Sequence, residues 1–469
     1  MSISRRNLLW GTGLGLGGFV VGGLSGLSFQ SQRGWRNPSD VPRALQVLNT
    51  TEILPKEADV VVIGGGIAGI SAALSLRERG FNVVVLEKGM VAGEQSSRAF
   101  GWVYAMGWPM ETIASAQRGK EIWTGMAQRL GVDVGFRPFG NFSLLGSDEE
   151  MAQQEEWLKQ AKQVVPQLDG RVIGAQELEN LMPGASKTYK GALYSPTDGG
   201  GEPQWSVPRM AEAAIRMGVT IVAPCAARTV EREGGKVAGV HTERGYIKAK
   251  HVVVAAGAWT SLFTRNAGAD FPLLAVNSSM QRVSAIPGVL PGAGYGADFT
   301  WRQMANGETS IGIFGRTANI TADHFRYLGD YITTLTKGYG VKVSLSSDLF
   351  ETMNMKSSWG PNEVSPFEEV RMLSATVDKE ATDEALAALR RAFPQYEKAE
   401  VKETWAGMID VSPDAKPYVD QVESIPGLYV ICAMANGFTV GPAHGESIAK
   451  WINGEDVKLD PKVFGLKRF

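Results

Sequence analysis

The sequence predicts an α/β fold with two interwoven domains, one built on a parallel sheet covered by helices and the other on a large mixed, mostly antiparallel sheet. Short apolar runs rich in β-branched residues are followed by glycine turns near residues 60, 252 and 428, which is typical of buried parallel strands. Between residues 271 and 400, strand-like pieces alternate with a helical stretch. The 469 residues give each domain enough chain for its own core.

The composition is that of an ordinary soluble globular protein, with 44% hydrophobic and 20% charged residues. Lysine and arginine number 47 against 49 acidic residues, so the net charge of −2 gives no reason to expect nucleic acid as a partner. Cys225 and Cys432 lie far apart in the chain and match no metal-ligand spacing. We therefore expect two buried thiols, with a disulfide bridge or a catalytic role as the alternatives, and no metal site.

Residues 1–29 have the character of an export or anchoring signal and are expected to form an N-terminal hydrophobic helix. Arg5 and Arg6 precede a charge-free, glycine-rich run from residue 8 to residue 29, a pattern typical of a twin-arginine signal. No A-x-A-like cleavage site follows Gly26, so the segment is expected to stay as a single membrane anchor. Arginines retained in the cytoplasm predict a bacterial inner-membrane protein whose body faces the periplasm. Residues 30–56 are polar and predict a linker.

The fold begins with a strand, a glycine turn, a helix and a second strand between residues 58 and 86. The helix is expected to end at Arg79-Gly80, where glycine suits the residue after a helix. Gly64, Gly66 and Gly69 satisfy G-x-G-x-x-G, which allows a tight turn, an approach of the backbone to a pyrophosphate and close packing of helix on strand. Glu87 ends the second strand, where a carboxylate accepts hydrogen bonds from a ribose diol. This predicts a Rossmann-like, glutathione-reductase-like dinucleotide site.

The motif alone leaves FAD and NAD open, and three features favour FAD. Residues 92–98 follow Glu87 with hydroxyls and backbone amides, and residues 252–257 form a second glycine-terminated strand. Residues 437–439 lie at a strand-to-helix junction where amides could face the pyrimidine end of a flavin. The residues predicted to contact FAD are Gly64, Gly66, Ile67, Ala68, Gly69, Glu87, Lys88, Gly93, Glu94, Gln95, Ser96, Ser97, Arg98, Ala227, Ala256, Gly257, Trp259, Gly437, Phe438 and Thr439.

Other local patterns complete the domain prediction. Residues 106–181 are mostly helical and polar, with Ser147 as a helix cap before an acidic first turn. Short strands from residue 219 to residue 257 predict a meander that returns to the first sheet. We assign residues 57–105, 208–265 and 401–469 to the FAD-binding domain, and residues 106–207 and 266–400 to the substrate-binding domain.

The chain resembles the flavoprotein superfamily of D-amino-acid oxidase and glycine oxidase, and within it the membrane-bound bacterial L-amino-acid deaminases. The matching stretches run from one end of the chain to the other and are residues 3–6, 56–69, 87–89, 92–98, 225–228, 363–368 and 459–469. The resemblance implies oxidative deamination of a small amino acid to a 2-oxo acid and ammonia. It also implies that electrons pass from FAD to a respiratory carrier of the membrane, a quinone or a cytochrome.

The resemblance further implies that the substrate Cα–H bond lies over flavin N5 and that hydride transfer from a neutral amine needs no protein base. Arg316 matches the position where the deaminases carry the arginine that binds the substrate carboxylate, and a planar guanidinium suits both carboxylate oxygens. Arg282, Arg302 and Arg371 are the alternatives. The stretch Trp405-Ala406-Gly407 resembles a loop near the flavin, with a proline-stiffened turn as the other interpretation.

Two positions depart from the family's substrate pocket. Trp102 stands where aromatic-preferring deaminases have glutamine, and Asn436 stands where they have tryptophan. The substrate class is left open by this, with aliphatic, N-alkylated, cyclic and D-amino acids all compatible. Met280 and Gln281 are further candidates for the pocket wall.

The four histidines, at positions 241, 251, 324 and 444, are scattered, and none is predicted to be catalytic.

Two alternatives to this function remain at the level of sequence. An oxidase that reduces O₂ is the alternative within the same class. A non-catalytic FAD-binding subunit of a dehydrogenase complex is the alternative from another class.

Overall fold

The structure is a computed structural model that describes residues 45–313, 316–336, 341–346, 348–373 and 375–469. The predicted anchor, residues 1–29, and the first part of the predicted linker, residues 30–44, lie outside the described residues. Within the described ranges, the helices are too short or too polar to cross a bilayer.

The described chain alternates strands and helices. The strands are β1 (Val60–Ile63), β2 (Val83–Leu86), β3 (Trp102–Val103), β4 (Asn141–Leu145), β5 (Arg171–Gly174), β6 (Gly191–Ser195), β7 (Gly199–Gly200), β8 (Thr220–Val222), β9 (Ala227–Glu233), β10 (Lys236–Thr242), β11 (Gly245–Lys248), β12 (His251–Val254), β13 (Leu274–Val283), β14 (Ala293–Tyr295), β15 (Thr300–Gln303), β16 (Thr309–Gly312), β17 (Arg316–Asn319), β18 (Val341–Ser344), β19 (Val401–Val411), β20 (Tyr418–Gln421) and β21 (Leu428–Cys432). The helices are α1 (Ile67–Glu78), α2 (Gln95–Arg98), α3 (Ile113–Leu130), α4 (Asp148–Val164), α5 (Ala175–Leu181), α6 (Pro203–Arg216), α7 (Thr260–Asn266), α8 (Ala322–Arg326), α9 (Leu328–Thr336), α10 (Asp348–Met353), α11 (Pro366–Glu369), α12 (Lys379–Ala392), α13 (Gly437–Ile452) and α14 (Pro461–Phe464).

The described part of the chain contains a six-stranded sheet with the strand order β20-β21-β12-β1-β2-β8. All of its pairs are parallel except β20 with β21. Central β1 is buried along its whole length, as its continuous run of branched apolar residues requires in a parallel sheet. The predicted strand–glycine turn–helix–strand unit is therefore confirmed. Strands β9, β10 and β11 form an antiparallel meander beside it.

Ten described strands form the second sheet, in the order β18-β17-β13-β16-β15-β14-β4-β6-β5, with β19 also paired to β13. Its pairs are antiparallel apart from β14 with β4 and β17 with β18, so the predicted mixed, mostly antiparallel sheet is confirmed. Strand β19 differs from the sequence-based assignment. It lies in the segment assigned to the FAD-binding domain, but it pairs with β13 over ten positions. Strand β19 therefore belongs to the second sheet, and the chain continues from it into β20 of the first sheet.

Local capping follows the sequence. Helix α1 ends at Glu78 with Arg79 as its C-cap, and Gly80 takes φ +89°, a backbone conformation that glycine adopts without strain. The Ser147 hydroxyl accepts a hydrogen bond from the Glu150 amide at the start of α4. The described part of the linker, residues 45–56, runs along the edge of the six-stranded sheet, where the Thr51 amide donates to the Ile221 carbonyl at 3.1 Å.

His444 is buried within α13, with a ring centroid 5.3 Å from that of Phe464 and 1% of its surface exposed. Neither ring nitrogen has a hydrogen-bond partner among the described residues. Because burial disfavours the imidazolium, the pKa of His444 is lowered from 6.5 to about 4.

This burial predicts a loss of stability in acid. The unfolded chain binds a proton at pH values where folded His444 stays neutral, so the contribution is present above pH 6.5 and is lost as the pH falls through about 4. It amounts to about 3 kcal/mol of unfolding free energy. Chemical denaturation of the wild type and of His444→Gln at several pH values tests this. The variant should lose less stability over that range, and parallel pH dependences of the two proteins would disprove the assignment.

Candidate functional site

A long cavity runs between the carboxyl ends of the parallel strands and the large sheet. Its walls come from the turn after β1, the ends of β2, β12 and β21, helix α2, strand β19 and the large sheet. Most of the predicted FAD contacts line it, namely Gly64, Gly66, Ile67, Ala68, Glu87, Lys88, Gly93, Glu94, Gln95, Ser96, Arg98, Ala227, Ala256, Gly257, Trp259, Gly437 and Phe438. The predicted contacts Gly69, Ser97 and Thr439 lie outside this lining.

The glycine turn after β1 depends on close backbone approaches. Gly64 has φ +112°, and a Cβ atom on it would lie 2.3 Å from the Ala255 carbonyl oxygen of the neighbouring β12 end. A Cβ atom on Gly69 would lie 2.0 Å from the Gly64 carbonyl oxygen. Gly69 therefore supports the turn from behind, while Gly64 and Gly66 face the cavity. The Ser96 hydroxyl accepts a hydrogen bond from the Ile67 amide at 2.9 Å and joins α2 to the start of α1.

Glu87 stands at the end of β2 with its carboxylate at the cavity wall. One oxygen accepts from the Gly65 amide at 2.8 Å and the other from the Gly89 amide at 2.7 Å. Burial raises the pKa of Glu87, while the Lys88 ammonium and these two amides oppose the increase. A carboxylate has about four lone-pair positions, so both oxygens keep acceptor capacity for hydroxyl groups of a ribose.

Lys88, Glu94 and Trp259 form a polar cluster next to Glu87. The Lys88 ammonium lies 2.7 Å from a Glu94 carboxylate oxygen and 4.8 Å from the Trp259 ring centroid. The same Glu94 oxygen accepts from the Trp259 indole N–H at 3.2 Å. Burial would raise the pKa of Glu94, but the Lys88 charge and these hydrogen bonds lower it. The ion pair and the hydrogen bond thus hold these three side chains together at the cavity wall.

The other end of the cavity is apolar and aromatic. Trp102 lies with its ring centroid 4.8 Å from that of Phe100, and its indole N–H donates to the Trp301 carbonyl at 3.3 Å. Trp102, Met280 and Asn436, three of the four predicted pocket residues, line the cavity. The Thr439 hydroxyl donates to the Trp102 carbonyl at 3.0 Å. Thr439 therefore lies behind the cavity wall and supports Trp102, which lines it.

Gln281, the fourth predicted pocket residue, is directed away from the cavity. Its side-chain amide donates to the Thr382 carbonyl at 2.6 Å, on the side of the sheet that packs against α12. Successive side chains of a strand point to opposite faces, so Met280 at the cavity requires Gln281 on the other face.

The arginines proposed from sequence fall into two groups. Arg282 pairs with Glu308 and Glu403, Arg302 pairs with Glu202 at 3.0 Å, and Arg371 pairs with Glu243. The remaining candidate is the first residue of β17. The side chain of Arg316 lies outside the described part of the structure.

Several residues that sequence reasoning did not select also line the cavity, among them Phe367, Asp410 and both cysteines. Asp410 is 2% exposed, accepts a hydrogen bond from the Ala433 amide at 2.6 Å and has its pKa raised by burial. The prediction of two buried thiols is confirmed, and burial raises the pKa of each. The sequence could have indicated Asp410, because it follows Trp405-Ala406-Gly407, the stretch that resembles a loop near the flavin. Both Gly407 and Asp410 lie on β19 and line the cavity.

The histidines take no part in this lining. All four are described, and none of them reaches the cavity wall.

The arrangement of residues along the cavity fits an extended dinucleotide. A carboxylate marks one end, a glycine turn and a helix N-terminus lie between, and an aromatic chamber accommodates a flat ring at the other end.

Comparison with known proteins agrees with this geometry. The solved structure of L-amino acid deaminase from Proteus myxofaciens, in complex with anthranilate, is similar to this chain, with 35% identity, a TM-score of 0.88, and 91% of this chain and 96% of that chain covered. L-amino acid deaminase from Proteus vulgaris is similar at 33% identity and a TM-score of 0.86, with 90% of this chain and 100% of that chain covered.

A curated relative extends the similarity to another activity. The 4-methylaminobutanoate oxidase (formaldehyde-forming) of Paenarthrobacter nicotinovorans is 29% identical over 256 residues, which are 54% of this chain. The matched part of this chain spans 31% of that relative's length. Residues 59–451 match the DAO family, described as FAD dependent oxidoreductase. The chain therefore belongs to the DAO family of FAD-dependent oxidoreductases.

Proposed function

We propose that the protein oxidises an amino acid to a 2-oxo acid and ammonia and passes the electrons to a respiratory carrier of the membrane. The observation that carries the proposal is one cavity that joins the dinucleotide turn at Gly64 to the aromatic chamber at Trp102. Similarity over 91% of the chain to an L-amino acid deaminase supports the class of substrate.

The chemistry divides between the cofactor and the protein. Bound FAD supplies the acceptor for the hydride that leaves Cα, and water then converts the imino acid to a 2-oxo acid and ammonia. The protein has to hold the substrate and keep solvent away from the reacting carbon. Phe100, Trp102, Met280 and Ile313 line the aromatic end and supply apolar surface for this purpose. A neutral amine needs no basic side chain for hydride transfer.

Arg316 is the residue that we propose for the substrate carboxylate. It begins β17, and its neighbour Thr317 pairs with Asn277 of β13, the strand that also carries Met280 of the cavity wall. The other three candidates are engaged in ion pairs with carboxylates of the protein. A guanidinium binds both carboxylate oxygens and fixes the orientation of Cα.

An exposed apolar surface supports the membrane part of the proposal. Seven large hydrophobic side chains between residues 325 and 353 are 45% exposed or more, namely Phe325, Leu328, Ile332, Val343, Leu345, Phe350 and Met353. Helices α8 and α10 are joined by a hydrogen bond from the Ala322 amide to the Thr352 hydroxyl at 3.0 Å. We propose that this surface lies on the bilayer beside the predicted anchor, with the body in the periplasm.

An O₂-using oxidase of an N-alkylated amino acid is the second candidate. The observation in its favour is the similarity to 4-methylaminobutanoate oxidase, over about a third of that relative's length. Peroxide release by the purified protein, measured beside quinone reduction in membranes, separates the two candidates.

The proposed activity is tested by anaerobic mixing of the yellow protein with L-, D- and N-methyl amino acids. Loss of the oxidised flavin band with one class identifies the substrate. A protein that keeps its FAD fully oxidised with every amino acid would contradict the proposed activity and favour a non-catalytic FAD-binding subunit.

Arg316→Ala is expected to lower kcat/KM for the amino acid by roughly 2–4 kcal/mol of transition-state stabilisation, because a charged contact to the carboxylate is lost. The variant should purify with its FAD, because the substitution lies on the substrate sheet. Arg282→Ala is the matched control, since its guanidinium pairs with Glu308 and Glu403 on the same sheet. Equal kcat/KM values for Arg316→Ala and the wild type would refute the assignment.

The double substitution Phe350→Glu and Met353→Glu tests the membrane surface. Charges at two exposed apolar positions should weaken contact with lipid and lower amino-acid-dependent quinone reduction in membranes several-fold. Anaerobic flavin reduction by the substrate should stay at the wild-type rate. Val164→Glu, at an exposed apolar position on α4, is the control. Unchanged quinone reduction in the double variant would argue against the proposed surface.

A further inference from the structure

We propose that residues 359–373, here called the clasp, form part of the adenosine end of the FAD site and hold the cofactor in the protein. The clasp lies between α10 and α12, in the segment that was assigned from sequence to the substrate-binding domain, and contains α11. The proposal rests on FAD binding and is independent of which amino acid is oxidised.

The clasp contributes an aromatic side chain to the cavity at the Glu87 end. Phe367 lines the same cavity as Glu87 and is 4% exposed. Its ring lies edge-to-face against Trp259, with centroids 5.7 Å apart, and against Trp359, at 5.3 Å. Because a carboxylate at the end of β2 marks the ribose of the adenosine, the cavity-lining rings of Phe367, Trp259 and Phe263 offer aromatic surface to the adenine ring.

One ion pair joins the clasp to the meander of the FAD-binding domain. The Arg228 guanidinium of β9 forms two hydrogen bonds with the Glu368 carboxylate, both at 2.9 Å. The Trp359 indole N–H donates to the Arg228 carbonyl at 2.7 Å. Burial would raise the pKa of Glu368, but hydrogen bonds from Arg228 and Ser365 lower it. Glu368 therefore stays ionised and bound to Arg228.

A second set of contacts joins the clasp to residues that line the cavity. Arg371 pairs through both terminal nitrogens with Glu243 and donates to the Lys88 carbonyl at 2.9 Å. The Lys88 ammonium donates in return to the Arg371 carbonyl at 2.8 Å. The Leu373 amide donates to Glu94 at 2.9 Å. Movement of the clasp would therefore disturb Lys88 and Glu94, both of which line the cavity.

These contacts hold the clasp against the FAD site, in the position that we call closed. Both ion pairs are largely shielded, with side-chain exposures of 15% and 10% for Arg228 and Glu368 and of 22% and 17% for Arg371 and Glu243. Charges shielded to this degree are weakly screened by salt, and removing one partner leaves the other without compensation. Neutralising a clasp carboxylate should therefore favour the open clasp and speed the release of FAD.

Glu368→Gln tests the proposal, because glutamine keeps an oxygen that accepts hydrogen bonds from the Ser365 amide and hydroxyl. It removes the charge and replaces the second oxygen, which accepts from the Arg228 guanidinium, with an NH₂ donor. The measurement is the recovery of free-flavin fluorescence after dilution of the holoprotein. We expect FAD to dissociate about tenfold faster or more than from the wild type. Glu78→Gln is the matched control: it breaks the pair between Arg129 and Glu78, which lies outside the cavity lining, and should leave the rate unchanged.

Equal dissociation rates for Glu368→Gln and the wild type would overturn the proposal. If the variant does not fold, hydrogen exchange of the wild-type protein with and without FAD gives the answer. Amides of residues 363–373 should exchange more slowly in the holoprotein, and equal exchange in both forms would also overturn the proposal. Neither readout involves an amino acid, so the result is separate from that of the proposed oxidation.

Discussion

The close approach of backbone at the turn after β1 is the constraint on which the site depends. Strand β1 lies between β2 and β12, so its carboxyl end meets two strands that end at Leu86 and Val254, far apart in the chain. At Gly64 the turn leaves no room for a side chain beside the Ala255 carbonyl, and at Gly69 the helix crosses directly behind the Gly64 carbonyl. These contacts bring the start of α1 to the cavity, where its amides and positive dipole end suit a pyrophosphate.

Ion pairs lie near both ends of the cavity. The buried Asp198 carboxylate binds the Lys120 ammonium at 2.9 Å and accepts the amides of Ala105 and Met106, just after the Trp102 wall. The clasp connects the domains at the opposite end. Buried ion pairs contribute little net stability compared with apolar packing, and their partners and geometry are specific. Their role here is to place aromatic side chains at defined positions around an extended cofactor.

Local patterns were enough to predict the dinucleotide turn, the strands on both sides of it, the meander and just under half of the residues that line the cavity. These features depend on residues close in sequence. Three further assignments required the three-dimensional pairing. The direction of Gln281 depends on which face of β13 meets the cavity, the role of Thr439 depends on its contact with Trp102, and β19 pairs with β13, more than a hundred residues earlier. Residues 225–228 and 363–368 were both among the stretches that carry the family resemblance, but their contact could not be predicted because Arg228 and Glu243 are distant from the clasp in the chain.

The central claim is that FAD binds across the glycine turn, and the FAD content of Gly69→Ala tests it most directly. A methyl group at this position would lie 2.0 Å from the Gly64 carbonyl oxygen, so the turn cannot keep its geometry. Gly125→Ala, at a helical position of α3 with nothing within 4 Å of the new Cβ atom, is the control. The account predicts that Gly69→Ala purifies with little or no flavin while Gly125→Ala carries one FAD per chain. A fully yellow Gly69→Ala protein would contradict it.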